Sequence, residues 1–453
     1  MATDLTSARA GRTLLVLGIL AFVGLAISFA LPKPPQRLYP QRIPVRFWHM
    51  WTAEWKAVVD DIADRFNKSQ DKYEVIALSI PPSGGDTKFV LAVAGGDPPD
   101  VMAQWNPVIP SWVDSGLLQP LDEMMPPAQW QQLRSDMYPI ARKIGLYKDH
   151  LYGVTVGLDL WACYYRPDDL RAAGVPDDHL PATLEDLFAL GARLDRFDGQ
   201  KNLTHLGFLP SGFLYTAPLF GNGFYDWQSG KLSIYTPDNL RALQTLANAY
   251  QRLGYDNVAR FQAGINQSSF SAGWPFISGH YSICIDGQWR VEQIAQYAPK
   301  LQYKTAPPPA PAGGRALASF ANGNFMIIPK GARCPAGAWE FVKFWSGIEN
   351  PQRAAELYTK GGWLPLMPAI TNAPAYQAYL KKYPQFKTFV DMLPSEYIQT
   401  TPPVPYTIYL TDRVSVCDDL AMRGIQTCEQ ALRGLEKEIA QEQARRKEFG
   451  YAD

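Results

Sequence analysis

The amino-acid sequence predicts an α/β protein: a doubly wound first lobe, then a second lobe in which strand–helix alternation restarts. Two observations carry this prediction. Near the start, short apolar runs rich in β-branched and aromatic residues alternate with stretches whose apolar residues recur every three or four positions. The same alternation resumes after about residue 165. Composition agrees, with 453 residues that are 47% hydrophobic and 19% charged, enough apolar material for a large core.

Arg9 and Arg12 precede an uncharged apolar stretch from Thr13 to Leu31. At about 1.5 Å rise per residue, such a helix crosses a hydrocarbon core of roughly 30 Å, with its positive end held on the cytoplasmic side. Two readings remain open. A signal peptide would be cut after Ser28-Phe29-Ala30, or the segment stays as a membrane anchor, which its length favours slightly. No cysteine follows it, so a lipid anchor is not expected. Either way, the remainder is expected outside the cytoplasmic membrane, behind a semi-rigid Pro32-Lys33-Pro34-Pro35 spacer.

Val45 to His49 is a strand candidate. Thr52 is placed to cap a helix whose Trp55, Val58, Val59, Ile62 and Phe66 share one face. Tyr73 to Leu78 completes a βαβ unit, which implies parallel strands. Thr87 to Ala94 reads as a helix, Val101 to Trp105 as a strand and Val108 to Asp114 as another helix. Ligands of doubly wound sheets bind beyond the carboxyl ends of the strands. That rule points to Trp48, His49, Met50 and Trp51, and to Trp105 and Asn106.

Leu151–Thr155 and Trp161–Tyr165 read as two strands joined by Gly157-Leu158-Asp159. Thr183 and Thr236 open helices, each with acid in the first turn. Tyr281–Ile285 is a strand running into Asp286-Gly287-Gln288-Trp289. Ala306 to Gly314 is too rich in proline for a regular element. Asn324 to Ile328 is a strand, and Ala336–Ser346 and Gln352–Thr359 are helices, the latter closed by Gly361-Gly362. The charged run from Glu436 to Lys447 reads as a solvated helix face.

Lys and Arg together number 43, as do Asp and Glu. With no long basic run, nucleic acid is not an expected partner. The five histidines, His49, His150, His179, His205 and His280, lack metal-ligand spacing. No nucleophile motif occurs, and no cofactor or metal is expected. Of the five cysteines, Cys163 and Cys284 read as buried thiols. Cys417 and Cys428 could pair, which spacing alone does not decide. The 13 tryptophans and 23 tyrosines suit either a large core or a surface that stacks on sugar rings.

Several segments, in this order, resemble the family 1 extracellular solute-binding proteins, the group that includes the maltose-binding protein. They are Phe47-Trp48-His49, Ala94-Gly95-Gly96-Asp97-Pro98-Pro99-Asp100, Ser115-Gly116-Leu117-Leu118-Gln119-Pro120-Leu121, Leu151-Tyr152-Gly153-Val154, Asp286-Gly287-Gln288-Trp289 and Gly323-Asn324 with Ile328-Pro329-Lys330-Gly331. The resemblance covers roughly residues 44 to 440. It implies two α/β lobes joined by crossing segments and closing by a hinge, the periplasmic binding protein type II arrangement. By alignment the first lobe takes 44–155 and 305–360, and the second takes 156–304 and 361–453. It also implies a carbohydrate ligand, a membrane permease of an ABC importer as partner, a monomer, and no catalysis.

On the same basis Asp159 is the acidic sugar contact on the crossing segment, and Trp289 stacks on the ring. Asp286 and Gly287 belong to that motif. Gln104, Trp105 and Asn106 match a contact loop, although Pro107 stands where the maltose-binding protein has a carboxylate, so a maltose-like ligand is not implied. Tyr215 and Trp363 are further aromatic candidates, each equally suited to the core. Gly323, before Asn324, would admit close ligand approach. Two rival functions are a polysaccharide hydrolase using Asp97 and Asp100, which read better as a structural turn, and a ligand-binding component of a membrane sensor.

Overall fold

The computed structural model describes residues 37–450, apart from 177, 179, 266–272 and the Glu54 side chain. The leader and the Pro32–Pro35 spacer lie outside the described residues, as does His179. Among the described residues, no helix is long and apolar enough to cross a membrane.

From Ile43 onward the chain is a mixed α/β fold of two lobes. Its main sheet has eight strands: β1 (Ile43–His49), β2 (Tyr73–Ser79), β3 (Val101–Gln104), β4 (Val154–Tyr165), β5 (Ile283–Gly287), β6 (Lys304–Ala306), β7 (Ser319–Ile327) and β8 (Ile398–Gln399). The path through six of them is β5-β4-β7-β3-β1-β2, with β6 added to β4 and β8 to β7. As the βαβ reading requires, β1 is parallel to β2 and to β3.

The helices that matter for the site are α1 (Ala53–Ser69), after β1, and α2 (Gly85–Ala94), after β2. Further along come α3 (Leu184–Leu194), α4 (Phe213–Phe220), α5 (Pro237–Leu253) and α6 (Trp289–Tyr297). Later in the chain are α7 (Pro335–Ser346), α8 (Pro351–Gly361), α9 (Thr407–Met422) and α10 (Cys428–Glu448). Thr183 and Thr236 cap α3 and α5 through their hydroxyls, accepting the Asp186 and Asn239 amides. Thr52 occupies the N-cap of α1 with extended backbone, but its side chain makes no capping bond.

The largest difference from expectation is β4. Instead of two strands joined by Gly157-Leu158-Asp159, one twelve-residue strand runs straight through. Its first half pairs antiparallel with β7, from Val154↔Met326 to Leu160↔Ala321. Its second half pairs antiparallel with β5 and β6. A glycine in mid-strand normally marks a close approach, and here the Trp363 indole lies on Gly157, 3.1 Å from where a Cβ would stand. β4 therefore ties β7 to β5 and β6 within one sheet.

One core packs β1 and β2 against α1, α7 and α8 through Phe47, Ile62, Phe66, Phe341 and Trp345. Another, under α3, α4, α5, α9 and α10, joins Cys163 and Tyr165 of β4 to Leu187, Leu246, Leu410 and Leu432. All five cysteines are free, so Cys417 and Cys428 do not pair.

Candidate ligand pocket

The alternation of β4 and β7 decides which side chains meet. Paired residues point to the same face of a sheet, and Gly157↔Asn324 and Asp159↔Asn322 are pairs. That face carries Trp363 over Gly157. Leu158 and Gly323 face the other way, where a Cβ on Gly323 would approach Ile144. Asp159, Asn324 and Trp363 thus share one side of the crossing strands, and Gly323 does not.

On that side lies a cavity of about 380 Å³. Six of the sequence candidates line it: Trp51, Trp105, Asp159, Trp289, Asn324 and Trp363. They arrive from the carboxyl ends of β1 and β3, from both crossing strands, from the N-terminus of α6 and from the segment after α8.

The polar wall is built around Asp159. Its Oδ1 accepts a hydrogen bond from Gln288 Nε2 at 2.9 Å, and its Oδ2 accepts one from Asn324 Nδ2 at 3.1 Å. Gln288 is itself oriented, because its Oε1 accepts the Leu160 backbone N–H at 3.0 Å. Burial disfavours the Asp159 carboxylate more than these two amides stabilise it, and its pKa rises to about 6. Each oxygen has acceptor capacity left for a ligand hydroxyl.

The aromatic wall is mostly core. Trp51, Trp345 and Trp363 form a triangle with ring centroids 5.5 to 5.6 Å apart. Trp51 is 8% exposed and Trp363 4%, so each shows the cavity only an edge. Trp105 and Trp289 are less buried. Trp289 meets Trp161 edge-on at 5.4 Å, and a Cβ on Gly287 would overlap its ring, so only glycine admits that placement.

The other candidates lie elsewhere. His49 is wholly buried between the Phe47 and Trp51 rings. Neither ring nitrogen has a hydrogen-bond partner among the described residues, and burial lowers its pKa to about 4. Trp48 faces the opposite side of β1, beneath the Lys88 ammonium at 4.9 Å. Asn106 donates to Asp86 at 2.9 Å and shapes the loop after β3 together with Gln104. Tyr215 packs on Trp161 and Phe320, one ring removed from the cavity. Asp286 is held by Arg290 at 2.8 Å and by its neighbour's N–H.

Asp97 and Asp100 behave as a structural turn. Asp100 is 1% exposed and accepts the Arg46 and Cys334 amides, and Asp97 pairs with Arg46 and Arg333.

Of the lining residues that were not among the sequence candidates, Trp55 and Gln288 bear most on the chemistry. Trp55 looked like core because it sits on the apolar stripe of α1, yet its indole N–H reaches across to the Gly361 carbonyl at 3.3 Å. Gln288 was visible only as part of the Asp286-Gly287-Gln288-Trp289 run. Its position just before α6, at the end of a strand, was the available signal.

Residues 61–388 match the family model for bacterial extracellular solute-binding proteins. The chain belongs to that family. Curated relatives of this solute-binding protein include the sn-glycerol-3-phosphate-binding periplasmic protein UgpB of Salmonella typhimurium, 23% identical over 412 residues, covering 85% of this chain and 86% of the relative. UgpB of Escherichia coli K12 is 22% identical over 390 residues, covering 80% and 82%. Among solved structures, CpMnBP1 with mannotriose bound superposes with a TM-score of 0.75 at 25% identity, covering 88% of this chain and all of that one. The sugar-binding protein MalE of the phytopathogen Xanthomonas citri gives 0.72 at 22%, covering 90% and 100%.

Proposed function

We propose that this protein captures a carbohydrate in the cavity beside Asp159 and delivers it to the permease of an ABC importer on the outer side of the cytoplasmic membrane, without catalysing a reaction. The observation that carries this reading is the Asp159 carboxylate held between the Gln288 and Asn324 amides, with indoles on the flanking walls. A sugar presents hydroxyls at its rim and C–H groups on its faces. A fixed acceptor among aromatic rings matches both. The sugar-bound CpMnBP1 relative and the periplasmic UgpB relatives support ligand class and location.

β4 and β7 act as the hinge in this reading, with lobes of 44–155 plus 305–360 and of 156–304 plus 361–453. Trp51, Trp105, Trp289 and Trp363 cover the sugar faces while Asp159 and Asn324 take hydroxyls. Hydrolysis of a glycosidic bond uses two facing carboxylates. Asp159 is the one carboxylate among the described residues lining this cavity.

The test is calorimetric titration with a panel of mono- to tetrasaccharides, followed by product analysis of the same mixtures. The expected results are binding without turnover, and a loss of about 1–3 kcal/mol in Asp159→Ala. Released sugar, or an unchanged affinity in the variant, would count against the reading. Co-purification with a membrane permease, as opposed to a membrane sensor, tests the delivery step.

A further inference from the structure

A second cavity, of about 440 Å³, shares no lining residue with the one beside Asp159. Its volume lies within the range of about 300–1,000 Å³ usual for small-molecule sites. Four distant stretches of chain build its wall. Lys143 comes from the short helix Pro139–Gly145, Trp227 from the turn after Asp226, and Arg315 from the segment before β7. Glu396, Tyr397 and Gln399 come from β8 and the residues leading into it.

The charges of this wall are unbalanced. The Lys143 ammonium is half-buried and donates to the Glu396 and Ile398 backbone carbonyls, each at 2.8 Å. It has a third N–H to give, and no carboxylate pairs with it among the described residues. Burial pushes its pKa down to about 8, with Glu396 pulling the other way and Arg142 adding to the fall. Arg315 donates to the Asn222 side-chain oxygen at 2.8 Å and lies 5.1 Å over the Tyr397 ring, again without a carboxylate among the described residues. The two carboxylates of the wall are engaged elsewhere. Asp226 accepts the Gln228 amide at 3.0 Å and the Ser229 hydroxyl at 2.8 Å within its own turn. Glu396 lies 3.5 Å from Arg142.

Two buried polar atoms add to the pattern. The Trp227 indole N–H and the Gln399 side-chain oxygen have no hydrogen-bond partner among the described residues. Gln399 is 4% exposed, so water reaches little of it. Lys143 lies 5.4 Å over the Trp227 ring, which sets the ammonium beside the indole.

We propose that this cavity is a second binding site, for a small hydroxylated organic anion whose carboxylate or phosphate lies between Lys143 and Arg315. The Trp227 N–H donates to the same oxyanion, and the Gln399 side-chain oxygen accepts from a hydroxyl beside it. The unpaired cations set the ligand class: an oxyanion supplies the counter-charge that a neutral sugar lacks. An adjoining groove, which shares Lys143, Trp227 and Glu396 with the cavity, adds Arg134, Arg142, Lys148 and Lys231, with Asp149 as its other carboxylate. Its positive field draws anions towards the site.

The test is titration calorimetry at low ionic strength with inorganic phosphate, glycerol 2-phosphate, malate and gluconate, on wild type, Arg315→Gln, Trp227→Phe and Asp159→Ala. Arg315 is exposed, so its replacement leaves the core alone, and Trp227→Phe keeps an aromatic ring while removing the N–H. At least one organic anion is expected to bind, more tightly than inorganic phosphate, and the phosphate and carboxylate arms tell which headgroup the site prefers. Its affinity should fall about tenfold or more in Arg315→Gln and in Trp227→Phe, the worth of one hydrogen bond to a charged group, and stay the same in Asp159→Ala. No binding of any of the four, or binding that either wall variant leaves unchanged, overturns the site. Inorganic phosphate binding as tightly as the organic anions overturns the role of Gln399. Each of these failures leaves the sugar reading standing, because the two cavities have no residue in common.

Discussion

The two walls of the pocket are built on different terms. The indole wall, with Trp51 and Trp363 on Trp345, is an exposed edge of the hydrophobic core. The Asp159 wall is a short hydrogen-bond chain strung between two crossing strands and a loop. Changes to the first should be read as stability, and changes to the second as affinity. A residue in the core is held by many packing contacts, which are lost together. A carboxylate at a cavity wall is partly a liability to the fold.

The sharpest break of this contrast is Trp363→Ala. It removes a nearly buried indole from the triangle and uncovers Gly157, and denaturant unfolding should show a loss of about 3–5 kcal/mol. An Asp159→Ala variant that lost as much stability would erase the distinction.

Next comes acid sensitivity through His49. Its folded pKa of about 4, set chiefly by burial with opposing effects of Asp60 and Lys56, lies below the ordinary histidine value of 6.5. The unfolded chain therefore takes up the proton first. Stability from this group is present above pH 6.5 and falls as the pH drops from 6.5 to 4, by up to about 3 kcal/mol. Urea titrations at several pH values should show this slope, and His49→Gln should lack it.

Asp159 has the opposite sign. Its pKa is raised from 3.8 to about 6, so the unfolded chain gives up the proton first and stability falls as the pH rises from 3.8 to 6, while the carboxylate is the form that accepts a ligand hydroxyl. Sugar affinity should fall below pH 6 in wild type and be flat with pH in Asp159→Asn, as titration calorimetry at pH 5 and 7.5 can read. The smallest effect is expected from Trp105→Ala. Losing this half-buried ring should weaken binding by about 1 kcal/mol and move the unfolding midpoint little.

The same contrast explains what was legible in the sequence. Parallel β1, β2 and β3, with the cavity-lining Trp51 and Trp105 just past the ends of β1 and β3, followed from alternation and helix spacing. The continuity of β4 did not, because Gly157 and Asp159 look like a turn unless Trp363 and the β7 pairing are known. Tryptophans could not be sorted between site and core by sequence, since Trp51 and Trp363 serve in both. His49 and Trp51 are two residues apart, yet one is sealed in and the other reaches the cavity. Which of Gly323 and Asn324 faces the cavity depends on a register that only the folded sheet fixes.

The crossing strands also set when the site comes into being. Asp159 meets Gln288 across 129 positions of chain and Asn324 across 165. The entropy of closing such long loops must be met before these contacts give anything back. In the reading proposed above, recognition comes late in folding, after β7 has docked beside β4, and a chain ending before Asn324 is expected to bind no sugar however well its first three strands have formed.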